Sequence, residues 1–251
     1  IAGEFDLSTG VLVGTTGLLI GMLVTEFNMN IWLAILCAFI FAGTIGFING
    51  YVVVKTKLPS FIVTLATFFI LKGANFAYTK FVTGSVRVTG TDKAEGFDLA
   101  EAIFASKFGE ANFQIALIWW IGITVIATFV LTRTRFGNWI FAAGGDANAA
   151  RNAGVPVDKT KIMLFVYTAL SAALVGTMFV LRLKGMQAGQ GVGQEFYYII
   201  AAAVGGTLLT GGAGSAIGAS LGALIMGMAY IGIPYSRWDS DWTATFLGII
   251  L

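Results

Sequence analysis

Six stretches of this chain, residues 7–25, 27–54, 58–71, 111–132, 162–181 and 196–236, contain no aspartate, glutamate, lysine or arginine. About 20 helical residues cross the ~30 Å hydrocarbon core of a bilayer, and several of these stretches are long enough to do so. Only 11% of the 251 residues are charged, where an ordinary globular domain carries about 25%, and mean hydropathy is +0.85. The apolar runs are continuous rather than alternating, so the segments are helices and not barrel strands. The expected fold is an all-α polytopic membrane protein, a helical bundle of about 7–8 membrane segments. They fall near 7–25, 31–54, 60–79, 114–132, 162–181, 197–210 and 214–233, with a last one from about 242. The first and sixth are short or interrupted by glycine, which marks them as broken or re-entrant. The chain opens on Ile1, and the apolar run Thr243–Leu251 stops short of a span, so further segments are expected at both ends. Residues 1–251 read as a single transmembrane domain.

Residue content excludes several function classes. Histidine is absent, which removes histidine-based triads and His-containing zinc sites. A net charge of +2 with no basic run offers nucleic acid no surface. Cys37 is the single cysteine and lies in an apolar run, where it reads as a small packing residue. No Gly-Lys dipeptide occurs, so the chain has no Walker A loop. No catalytic, cofactor or metal residues are expected. Glu4, Asp6 and Lys72 are the charges nearest the membrane; they read as structural or interfacial, with Lys72 snorkelling to the surface. The secure spans hold no carboxylate, unlike those of ion-driven carriers. If the chain pumps, another subunit supplies the energy.

Two polar stretches flank the span near 114–132 and therefore face opposite sides. The first, about 80–112, holds Lys80, Arg87, Lys93 and Lys107 against Asp92, Glu95, Asp98, Glu101 and Glu110. The second, 133–161, holds Arg133, Arg135, Arg151, Lys159 and Lys161 against Asp146 and Asp158. Loops rich in lysine and arginine stay in the cytoplasm, which puts 133–161 inside and 80–112 outside. Lys55 and Lys57 fall inside too, while Arg182 and Lys184 fall outside as a mild exception. The external stretch has turns at Thr83-Gly84-Ser85 and Gly90-Thr91-Asp92 and an acidic helical piece over Asp98–Phe108; a solvated cap and a docking surface both fit it.

Glycines stripe two spans, at Gly10, Gly14, Gly17 and Gly21 and at Gly214, Gly218 and Gly222. Four-residue spacing bares one helix face for close helix packing. Between Ala203 and Ser215 lie two glycine pairs with Thr207 and Thr210; an unwound helix and a tight cytoplasmic turn both explain them. In the basic loop, Asp146 caps a helix over Ala147–Ala153, Gly154 suits the left-handed position after it, and Pro156 prevents its resumption. So small a helix outside the membrane has little to bury. It fits a groove on another protein, and a plain connector is the alternative.

Several ordered motifs resemble one family. They are Gly3-Glu4-Phe5-Asp6-Leu7-Ser8-Thr9-Gly10, Asn49-Gly50, Leu58-Pro59-Ser60-Phe61-Ile62-Val63-Thr64-Leu65, Thr134-Arg135-Phe136-Gly137-Asn138, Gly144-Gly145-Asp146-Ala147-Asn148-Ala149-Ala150, Ala201-Ala202-Ala203-Val204-Gly205-Gly206-Thr207 and Gly211-Gly212-Ala213-Gly214-Ser215. The run resembles the membrane permease subunits of bacterial ATP-binding-cassette importers for simple sugars, of ribose/xylose type. Glu4-Phe5 departs from the usual Gly-Ile and suggests a subgroup. The resemblance implies an all-helical permease of the bacterial inner membrane that pairs with a second copy. It would receive sugar from a periplasmic binding protein and be driven by cytoplasmic ATPase subunits. By the same resemblance, Gly144, Gly145, Asp146, Asn148, Ala149, Ala150 and Gly154 would contact the ATPase. Gly10, Gly14, Gly214, Gly218 and Gly222 would pack helices around the pathway. Asn49, Ser60, Phe61, Thr64, Thr67 and Phe68, with Phe69 beside them, are candidates to line it. The chain would do no covalent chemistry. Rival readings are the same architecture carrying a branched-chain amino acid or a signalling furanose, and a passive solute channel. A zwitterion would want charged partners in the pathway, and their apparent absence favours a neutral polyol.

Overall fold

The computed structural model describes every residue except Ala111, Arg237, Trp238, Ser240, Asp241, Thr243, Ala244, Phe246, Leu247, Ile250 and Leu251. The helices are α1 (Thr9–Thr25), α2 (Ile31–Thr56), α3 (Ser60–Thr83), α4 (Phe97–Phe104), α5 (Ala116–Arg133), α6 (Arg135–Gly145), α7 (Ala147–Asn152), α8 (Val157–Leu183), α9 (Gln194–Val204) and α10 (Ala216–Tyr235). Four short strands accompany them: β1 (Arg87–Thr89), β2 (Lys107–Phe108), β3 (Phe113–Gln114) and β4 (Gly185–Gln187). α2, α3, α5, α8 and α10 are long and apolar enough to cross a membrane. α1 and α9 are shorter than a span, with 17 and 11 residues. The segment expected from about 242 lies outside the described residues. The chain, expected as one domain, folds as two compact units interleaved in sequence: a larger one of Phe5–Trp120 with Ile162–Glu195, and a smaller one of Ile1–Glu4, Ile121–Lys161 and Phe196–Leu251.

In the larger unit α1 is the core. Its residues are apolar on all faces and thirteen of them are buried, the pattern of a helix enclosed on every side. Val11, Leu12 and Val13 pack with Ala42, Phe68, Leu71 and Ala169–Ala173, while Leu18, Ile20, Met22 and Val24 meet Ile31, Ile35, Val88, Phe97 and Val180. Local signals set the ends. Asn30 caps α2 by accepting from the Trp32 N–H at 3.0 Å, Lys57 closes it in the left-handed conformation, and Pro59 starts α3, where its missing N–H costs nothing.

β1 pairs antiparallel with β4, Val88 opposite Met186. Residues 87–89 and 185–187 therefore share one face, which agrees with the external placement of the stretch after Arg182 and Lys184. The acidic helix of the external loop ends at Phe104, earlier than expected, because Lys107–Phe108 pairs with Phe113–Gln114.

The smaller unit has its own contacts. Gly212 donates its N–H to the Ile1 carbonyl at 2.8 Å, Glu4 forms an ion pair with Lys161, and the α6–α7–α8 corner closes over Ala143, Ala150 and Val157. The glycine-rich stretch is thus a turn between α9 and α10 on the side of the basic loop. It is not an unwound helix: Gly206, Gly211, Gly212 and Gly214 all take positive φ. Pro156 separates α7, which ends at Asn152, from α8. It opens α8, its carbonyl accepting from the Thr160 N–H at 2.9 Å.

Candidate functional site

Two places carry chemistry beyond packing. The first is the basic loop. α6, capped by Thr134, which accepts from the Gly137 N–H at 3.2 Å, delivers the chain to Asp146. The Asp146 carboxylate accepts from Asn148 N–H at 2.9 Å and Ala149 N–H at 3.0 Å, so α7 starts where the sequence places it. Gly154 closes it at φ +83°, and Arg151 reaches Asp158 at 2.7 Å to pin its end to α8. Gly145, Asp146, Asn148, Ala149 and Gly154 are exposed, whereas Ala150 is buried in the corner. Gly144 packs internally against the Ile1 carbonyl and the Gly212 nitrogen. Five of the seven candidate contact residues thus form an open surface and two support it.

The second place is the interior of the larger unit, where the non-helical segment 5–8 meets α2 and α3. Phe5 N–H donates to Ser60 Oγ at 3.0 Å and Leu7 N–H to Thr64 Oγ1 at 3.0 Å. Thr67 Oγ1 donates to Asn49 Oδ1 at 2.6 Å, Asn49 Nδ2 to Ser8 Oγ at 3.1 Å, and Ser8 Oγ to Asp6 Oδ1 at 2.6 Å. Asn49, Ser60 and Thr64 are buried. The hydroxyls and amide expected along the pathway are therefore spent, in this conformation, on holding segment 5–8. That segment lacks helical partners for its N–H groups, and such groups must be paired at membrane depth. Phe61 and Phe69 are exposed, and Phe68 is buried.

The glycine stripes divide into two kinds. Gly218 and Gly222 of α10 face the carbonyls of Gly205 and Ala201 at the end of α9, which is the expected helix packing. Gly214 precedes α10 and sits in the turn. Gly10 and Gly14 meet non-helical backbone instead: Gly191 and Glu195 lie against Gly10, and the Gln190 carbonyl against Gly14. Gly17 meets Met186 and the Gly176 carbonyl of α8, and Gly21 meets Val88, so the stripe on α1 both seats the segment 186–195 and packs against a helix. A further pair, Gly46 and Gly50 of α2, brings in the α8 backbone at Phe165 and Ile162; its four-residue spacing was legible in the sequence.

Sequence reasoning missed Glu195. It borders an apolar run and reads as interfacial, yet the residue is 2% exposed. Its carboxylate accepts the Gly193 N–H at 3.0 Å. Lys72 is not placed to snorkel. It stands twelve residues into the 24-residue α3, about 18 Å from the start at 1.5 Å per residue, and its ammonium lies over the Phe68 ring at 5.8 Å.

The family described as the branched-chain amino acid transport system / permease component matches residues 1–251. The chain belongs to that family. This permease is 34% identical over 235 residues to the ribose import permease protein RbsC of Escherichia coli (strain K12), covering 93% of this chain and 70% of that one. It is 29% identical over 253 residues to the fructose import permease protein FrcC of Rhizobium meliloti, covering 100% and 69%. It is 28% identical over 252 residues to the inner membrane ABC transporter permease protein YjfF of Escherichia coli (strain K12), covering 100% and 74%. No solved structure gives a significant match. The permease is a multi-pass inner-membrane transport subunit and not an enzyme.

Proposed function

We propose that this permease moves a monosaccharide across the bacterial inner membrane by alternating access, powered by a cytoplasmic ATPase seated on α7. The observation that carries the mechanism is α7 itself, a capped helix with Gly145, Asp146, Asn148, Ala149 and Gly154 turned to solvent on the basic face. It is braced by Ala150 and the Arg151–Asp158 pair, so a push on it is passed to α6 and α8 rather than dissipated. The cargo follows from relatives named for ribose and fructose import. A periplasmic binding protein delivers sugar to the external loop. A second copy completes the pathway, and lipid surrounds the assembly, with α5 burying no residue within this chain. ATP binding and hydrolysis then rock the permease halves between outward- and inward-open states.

The test is uptake of labelled pentoses and hexoses by the complete importer in proteoliposomes. ATP-dependent ribose or fructose accumulation is expected. Solute equilibration without ATP would show a channel instead. A branched-chain amino acid is the second reading, favoured by the description of the family that matches the chain. Leucine uptake in place of sugar would establish it.

A further inference from the structure

Lys72 fixes which side of the larger unit faces water. It is only partly covered, it sits midway along α3, and among the described residues its ammonium forms no ion pair. An ammonium near the bilayer centre does not face lipid; such groups face a bundle interior or a water-filled pathway. The face of α3 around it is built for more than water. Phe69 and Phe76, at i−3 and i+4, flank Lys72 with exposed rings, and Phe76 rests on Gly189 of the descending segment. On the inward side of Lys72 stand Asn75 and Thr79, both at least nine-tenths buried, whose Nδ2 and Oγ1 have no hydrogen-bond partner. Asn75 Nδ2 points to the groove at Gly14 where the Gln190 carbonyl lies. A buried amide donor left unpaired costs about 1–3 kcal/mol, and a chain that elsewhere pairs nearly every such group has kept this one free.

We propose that Lys72, Asn75 and Phe76 form a sugar-handling station on the pathway wall: the amide and ammonium meet hydroxyls, and the ring meets the apolar face of the pyranose or furanose. The station rests on the monosaccharide reading, and it is distinct from the hydroxyl cluster that anchors segment 5–8. The groove of α1 explains its architecture. Bare backbone at Gly10 and Gly14 lets 189–195 approach α3, so polar groups converge at depth without a full helix between them.

Cys37 is the only cysteine, so Cys37→Ser gives a silent background for thiol mapping. In the complete importer, Phe76→Cys and Lys72→Cys are compared with Tyr78→Cys, which lies on the opposite, exposed face of α3. A charged methanethiosulfonate reagent needs thiolate, hence water, so Phe76→Cys and Lys72→Cys are expected to react roughly tenfold faster than Tyr78→Cys. Ribose should protect them if it is transported. Separately, Asn75→Ala should change the ratio of labelled ribose to fructose uptake by about threefold, because the lost donor serves one hydroxyl pattern more than the other. Amounts of assembled complex and ATP hydrolysis without sugar should hold steady. Thr177→Val, a buried hydroxyl on α8 bonded to its own helix, should leave the ratio alone. Reactivity at 72 and 76 no faster than at 78 in a transporting complex overturns the wall. Fast reactivity with an unchanged ratio overturns sugar contact. Fast reactivity with no uptake of any sugar by the Cys37→Ser parent overturns the monosaccharide reading and leaves a wall for another solute.

Discussion

Gly46→Ala tests the close packing of α2 on α8, and Gly73→Ala is its control. A Cβ built on Gly46 lies 2.6 Å from the Phe165 carbonyl oxygen, 2.8 Å from Ala169 Cβ and 2.9 Å from Val166 Cα. Carbon–oxygen contacts settle near 3.3 Å, so α8 must retreat by about 0.7 Å there. No flexible side-chain tip can yield in its place, because the neighbours are backbone and a Cβ. Overpacking of this kind costs about 1–3 kcal/mol. Gly73, in the middle of α3, meets nothing within 4 Å. Both substitutions gain the helix preference of alanine over glycine, about 0.8–1 kcal/mol in water. The propensity term cancels in the comparison, so Gly46→Ala should be less stable than Gly73→Ala by about 1–3 kcal/mol. Reversible unfolding in mixed micelles of lipid, mild detergent and dodecyl sulfate measures the difference. Equal stabilities, or a Gly46→Ala variant more stable than Gly73→Ala, would refute the inference that backbone approach at Gly46 holds these helices together.

Other predictions concern the two sites. Thr64→Val removes the acceptor of the buried Leu7 N–H and should cost about 1–3 kcal/mol in the same unfolding assay, with the sugar concentration for half-maximal uptake unchanged; a shifted half-saturation at full stability would restore Thr64 to the pathway. Asp146→Ala should cost about 1 kcal/mol of local stability by uncapping α7, seen as faster amide exchange at Asn148 and Ala149. Ala149→Glu should abolish ATP-driven uptake at normal membrane abundance, and persistence of uptake would remove α7 from the coupling role. Lys161→Met leaves Glu4 half-buried and unpaired and should destabilise more than the Glu4→Gln, Lys161→Met double variant, since a lone buried charge costs more than a removed pair.

The α7 corner was legible because its signals are local. A capping aspartate, a glycine able to take positive φ and a proline act within one turn of chain, and the structure places the helix one residue short of its expected end. Spans 31–54, 60–79 and 162–181 were legible because a charge-free run of that length has few other uses; each helix extends beyond its predicted end, carrying lysine or arginine into the last turn. The hydroxyls of Ser60 and Thr64 read as candidates to line the pathway, since nothing in sequence shows that segment 5–8 would lie against them. Glu195 was missed for the same reason: its burial comes from α1, 185 residues away in the chain at Gly10.

Sequence alone determined the membrane class, the all-helical fold and the family, because hydropathy and local motifs are written residue by residue. Tertiary structure decided what the glycines and the few deep charges do. The glycine face of α1 receives the turn before α9 at Gly10 and Gly14 as well as α8 at Gly17, and Glu195 is buried against Gly10. Such partners are chosen by which backbones approach closely, and close approach depends on packing between elements far apart in the chain.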